Sequence, residues 1–121
     1  MQTVKLSVPT EADFARSVRM MAANLAVVAG FSVDDVEDVR MAAEEGFVYS
    51  CATGPESCEI SFSLDDDAFV MDFILGDAEP SEEAPDVAYA ELLLSSLCDE
   101  FFISDKAACL HLVKRTGAAS A

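Results

Sequence analysis

Between residues 60 and 75 the sequence ISFSLDDDAFVMDFIL sets Ile60, Phe62 and Leu64, then Phe69, Met71, Phe73 and Leu75, at every second position, with the run Asp65, Asp66, Asp67 between the two series. Alternation with period two is the mark of a strand buried on one face. Two such strands joined by a polar turn form a β-hairpin that crowds large apolar side chains onto one side. A hairpin alone cannot keep that side dry, so the rest of the chain must supply a covering layer.

Helical spacing supplies candidates for the cover. Near the start, Val4, Leu6 and Val8 alternate with Thr3, Lys5 and Ser7 as a further strand, ended by Pro9. Thr10 followed by Asp13 reads as a helix N-cap, and Phe14, Val18, Met21, Leu25 and Val28 recur at helical spacing up to a stop at Gly30. Ser32 with Asp35 repeats the capping signal, and Val36, Val39, Ala43, Gly46, Phe47 and Ser50 line one face of a second helix that ends at Thr53, Gly54 and Pro55. After the hairpin, the stretch GDAEPSEEAP from Gly76 to Pro85 reads as a mobile surface loop. A third helix is predicted from about Asp86 through Leu92, Leu93 and Leu97, followed by closing strands near Phe101 to Ser104 and Ala108 to Val113. The predicted order βααββαββ is that of an α+β fold, a two-layer α/β sandwich whose sheet is covered on one side by helices.

A chain of 121 residues with 52 % apolar content holds one core, so residues 1–116 are expected to form a single domain and 117–121 a flexible tail. No apolar run approaches the ~20 residues of a membrane span, and the start of the chain lacks the apolar stretch of a signal peptide, which points to a cytoplasmic protein without a membrane partner. Cys51, Cys58, Cys98 and Cys109 form no CxxC pair and His111 is the single histidine, so no zinc ligand set is recognisable and free, mostly buried thiols are expected. Cys51 and Cys58 flank the turn after the second helix, where a redox bond is conceivable. His111, between Leu110 and Leu112, reads as a sheet-face residue. With 23 acidic residues against seven basic ones, the net charge of −16 excludes nucleic acid as a ready partner and favours a basic or mixed-charge protein.

Three segments carry a resemblance. DVEDVRMAAEEGFVYSCA, MDFILGDAE and SSLCDEFFI, together with the opening VKLSVPTEADFARSVRMMAANLAVVAGFSVDDVEDV, resemble the second helix, a strand-to-loop segment, the end of the third helix and the N-terminus of the bacterial anti-sigma-factor serine/threonine kinases. Those kinases have the histidine-kinase-like ATPase (Bergerat, GHKL) fold, and the likeness runs over nearly the whole chain. It implies ATP and magnesium as cofactors, a sigma factor or an anti-sigma antagonist as protein partner, and a homodimer. It also sets Glu45 at the position of the catalytic glutamate and Asp77 at that of the aspartate that reads adenine.

The other pocket positions depart from the family pattern. Tyr49 stands where an asparagine ligates magnesium, and a neutral phenol with a pKa near ~10 is a poor ligand for an ion that favours carboxylate, phosphate and water oxygens. Glu79 replaces a glycine and brings negative charge toward the nucleotide, and Ala88 with Ala90 replaces the Gly-x-Gly that offers backbone N–H groups to phosphate. The segment before them adds Glu82, Glu83 and Asp86. The expectation is a partner-switching regulator with nucleotide binding weak or lost, Tyr49 acting as filler and no metal site; Glu45 is the candidate catalytic residue, set against the ordinary role of a glutamate that is solvated or makes a helix-end contact. Two alternatives stay open: an active ATP-dependent kinase with Glu45 as base, and an interaction domain unrelated to sigma factors.

Overall fold

The computed structural model describes residues 2–65, 67–77, 85–104 and 108–115, with side chains for all of these except 85–87. Five strands and three α-helices follow one another as β1 (Gln2–Pro9), α1 (Ala15–Val28), α2 (Val33–Ala52), β2 (Ser57–Leu64), β3 (Ala68–Ile74), α3 (Pro85–Leu97), β4 (Glu100–Ser104) and β5 (Cys109–Arg115), with a 3-10 turn, Ala12–Phe14, leading into α1. The strands form one sheet in the order β1-β2-β3-β5-β4, and every neighbouring pair is antiparallel. The predicted order βααββαββ and the α+β class hold.

Period-two alternation decides which face of the sheet is covered. Ile60, Phe62, Leu64, Phe69, Met71, Phe73, Leu110 and Leu112 are all buried, and they meet Val18, Ala22 and Leu25 of α1, Val39, Ala43 and Phe47 of α2 and Leu94 of α3. Helix α2 lies in the middle of the helical layer, with α1 on one flank and α3 on the other. Gly46 lets α2 settle onto the sheet: a Cβ there would lie 2.6 Å from a ring carbon of Phe73. Ion pairs fix the layers laterally, Arg19 to Glu44 between α1 and α2 at 2.9 Å and Lys114 to Asp38 between β5 and α2 at 3.0 Å.

The helix ends follow from local chemistry. The Asp35 N–H donates to Ser32 Oγ at 3.2 Å, and Asp34 and Asp35 place negative charge in the first turn of α2, where the helix dipole favours it. Helix α1 closes in a Schellman motif: Gly30 takes φ +85°, its N–H donates to the Val27 carbonyl, and the Phe31 N–H donates to the Ala26 carbonyl.

Two sequence expectations need correction. Thr10 does not cap α1; its hydroxyl donates to the Pro55 carbonyl at 2.8 Å, tying the end of β1 to the turn after α2, and the 3-10 turn intervenes before the helix. Val28 does not belong to the buried face of α1 but lies out in water, and Ala22 and Ala26 are buried instead. Small residues let α1 approach its neighbours closely, and a rule that counts only large apolar residues passes over them. The tail 117–121 and Asp66 of the hairpin turn lie outside the described residues. Among those described, no helix is long and apolar enough to cross a membrane.

Candidate functional site

The C-terminal end of α2 is sewn to the end of β3. Ser50 Oγ donates to the Ile74 carbonyl at 2.8 Å, Thr53 Oγ1 donates to the Ser50 carbonyl at 2.6 Å, and the Gly76 N–H donates to Thr53 Oγ1 at 2.8 Å. Among the described residues, Ser50 and Thr53 are the buried polar side chains, and each is hydrogen-bonded. Gly76 is required by contact: a Cβ on it would overlap the Thr53 carbonyl oxygen and the backbone of Gly54 and Pro55. Sequence reading passed over Ser50, Thr53 and Gly76 as a unit. The available signal was a glycine directly after an apolar strand, which often marks close backbone approach.

This junction brings together two of the positions that the resemblance marks. Asp77 follows Gly76 and is exposed, beside the last turn of α2, and Tyr49 immediately precedes Ser50 on that helix. Glu45 lies one turn before Tyr49, half-buried and engaged with a neighbour rather than free. Its sequence neighbour Glu44 points to the other flank, where it meets Arg19 of α1.

Tyr49 is buried to 6 % exposure within the hydrophobic core. Burial, together with the negative charge of Glu91 on α3, raises its phenol pKa above the ordinary value, so at neutral pH the group is an uncharged O–H. Helix α3 packs along α2 and buries Ala90 and Leu94. Ala88 and Ala90 both lie within the helix, Ala88 exposed and Ala90 fully covered, so the stretch that replaces Gly-x-Gly is helical here rather than an extended phosphate-facing loop. Glu79, Glu82 and Glu83 lie outside the described residues, as does the side chain of Asp86. The family positions Glu45, Tyr49 and Asp77 thus hold one engaged carboxylate, one neutral buried phenol and one exposed carboxylate.

A second group of polar residues occupies the face of the sheet away from the helices. The registers align Lys5, Ser61, Asp72, His111 and Phe102 in one row across all five strands. His111 Nδ1 lies 2.5 Å from Asp72 Oδ1, and since a carboxylate only accepts, Nδ1 carries the proton. The Phe102 ring is centred 4.7 Å from the imidazole, and Lys5, Glu59, Ser61, Asp72 and Ile74 border a shallow depression of about 380 Å³. His111 is a sheet-face residue, as its place between two leucines suggested; its pairing with Asp72 depends on register and was not foreseen.

All four cysteines are free thiols, including Cys51 and Cys58. Burial pushes Cys98 up to about 12 and Cys51 and Cys109 up to about 11, and it raises Cys58 as well. Thiolate, the reactive form, is therefore scarce at neutral pH. Among the described residues no three His, Cys, Asp or Glu side chains converge as a metal-binding set.

Fold and site together define a class: an α+β domain with three helices on one face of a five-stranded antiparallel sheet, whose α2–α3 seam is filled by its own side chains. In comparisons with known proteins, no family model matches the chain and no curated protein is significantly similar to it.

Proposed function

We propose that this chain is an anti-sigma-factor-like regulatory domain of the histidine-kinase-like ATPase fold, acting in the cytoplasm by binding other proteins, with nucleotide binding weak or lost. The observation that carries the reading is the burial of Tyr49. At the position where the resemblance calls for a magnesium ligand, an uncharged aromatic ring is packed among apolar side chains, and a metal-bridged triphosphate would have to displace it. The element order and the helical state of Ala88 and Ala90 support the same reading. The −16 charge favours a partner with a basic docking face, in keeping with a sigma factor or an anti-sigma antagonist.

The alternative is an active serine/threonine kinase with ATP and magnesium, Glu45 as base and Asp77 reading adenine. In its favour, Glu45 is half-buried on α2 one turn before Tyr49, and Asp77 is exposed next to Gly76, whose N–H meets the end of that helix. Titration against purified sigma factors and antagonists of the source cell, with radiolabelled ATP present, separates the two. Saturable binding that weakens with salt and leaves the partner unlabelled is expected; label on a partner serine would establish the kinase. Failure to bind any of these partners would favour an interaction domain unrelated to sigma factors.

A further inference from the structure

The two edges of the sheet differ in what they expose. β1, at one edge, presents Thr3, Lys5 and Ser7 to water and ends in Pro9, and lysine and proline on an edge strand discourage pairing with another chain. β4, at the other edge, reads EFFIS and has neither. Its inner side pairs with β5 along its whole length, while among the described residues no strand lies on its outer side. That side offers a row of unpaired N–H and C=O groups.

Apolar side chains border the row on both faces of the sheet. Phe102, opposite His111, is on the face away from the helices and 52 % exposed; Ile103, opposite the buried Leu110, is on the helix side and 43 % exposed. On α3, Tyr89 and Leu92 are 59 and 66 % exposed. Glu91 acts on Tyr49 of α2, so Tyr89, roughly half a turn round the helix from it, lies on the flank of α3 that looks away from α2, toward the edge where β4 is outermost. Several exposed apolar residues gathered at one place mark an interaction surface. Its charge is acidic: Asp99 and Glu100 stand exposed at the start of β4, and the cations of the neighbouring strand are already held, Lys114 by Asp38 and Arg115 by Glu100.

We propose that the outer edge of β4 takes up an extended segment of another protein as a sixth strand of the sheet, the segment having apolar residues at its centre and Lys or Arg at its ends. Backbone groups of the segment pair with the open row on β4, and its side chains fall alternately to the two faces. On the helix side they meet Ile103, Tyr89 and Leu92, and on the other side Phe102. The flanking cations meet Asp99 and Glu100 in the field of a chain that carries −16. This mode of contact goes beyond the functional reading above and does not depend on it, since it holds whether or not the segment belongs to a sigma factor or its antagonist.

Fluorescence anisotropy of a short labelled peptide, a central run of valine and isoleucine flanked by lysines, titrated with the full chain tests the proposal. Saturable binding that weakens several-fold as salt rises is expected, with none for the same peptide flanked by glutamates. Ile103→Lys should weaken binding at least about tenfold, and Leu92→Lys several-fold, while Val27→Lys on α1 adds the same charge elsewhere and should change it little. Peptides N-methylated at alternate residues separate strand pairing from mere apolar contact: methylation in one phase should abolish binding and in the other should spare it. On the parent protein, amide hydrogen exchange along β4 should slow when the peptide is added. Binding that falls equally in Ile103→Lys and Val27→Lys, indifference to the phase of methylation, or unchanged exchange in β4 would each overturn the proposal. So would an edge occupied by β4 of a second copy to the exclusion of the peptide. Because no sigma factor enters these measurements, their failure leaves the functional reading to its own test.

Discussion

Along the seam between α2 and α3, Tyr49, Ala90 and Leu94 are buried against their neighbours, whereas the outer face of α1 leaves Met20, Val27 and Val28 in water. Both flanks belong to the same helical layer and adjoin the same central helix. Where the resemblance implies a ligand pocket, the chain has put side chains; where nothing in the fold demands apolar residues, it has kept them. Apolar area in water is unfavourable unless something covers it, so the packed flank and the open one differ in how much apolar surface each can still bury.

Substitutions separate the packed flank from the open one. The largest effect is expected at Gly76→Ala, because the new Cβ meets backbone rather than a side chain that can turn aside. A loss of at least about 3 kcal/mol in chemical denaturation is expected; a loss under 1 kcal/mol would show that the α2–β3 junction yields easily. Tyr49→Asn removes a buried ring and leaves a polar amide in its place, at a cost of about 2–4 kcal/mol. If the variant is as stable as the parent, the seam is not packed as described.

Alkaline pH probes the buried thiols with a defined sign. The unfolded Cys98 thiol ionises near its ordinary value of 9.0, while in the fold burial holds it up to about 12. Between these values the unfolded state has fewer bound protons, so stability falls as pH rises from 9 toward 12. Replacing Cys98 with alanine should lessen that fall by about 1 kcal/mol at pH 10, read from urea midpoints; identical slopes in both proteins would place Cys98 in water. The smallest effect belongs to the open flank, where Val27→Ser should change stability by no more than about 0.5 kcal/mol. A larger loss would mean that this face is already covered within the chain.

Much of the scaffold was legible because it is written locally. The hairpin follows from alternation on either side of Asp65, the start of α2 from Ser32 three residues before Asp35, and the end of α1 from Gly30. What escaped depends on distant partners. Thr10 has the chemistry of a cap, yet the acceptor it finds is a carbonyl 45 residues away. Val28 keeps the helical period, but periodicity alone does not say how far the sheet extends beneath a helix. The row from Lys5 to Phe102 exists only once all four registers are set. At the candidate site, the sequence marked Tyr49 as a departure from the asparagine of the resembled kinases; its burial beside Glu91 of α3 and the hydrogen bonds that clamp Gly76 come from packing.

Calorimetric titration of the intact protein with magnesium ATP bears most directly on whether the α2–α3 seam is closed to nucleotide. No saturable heat is expected up to millimolar nucleotide, and the melting temperature should be unchanged, since a ligand stabilises only a state that binds it. Saturable micromolar binding with a matching rise in melting temperature would contradict the closed seam and favour the ATP-dependent kinase alternative.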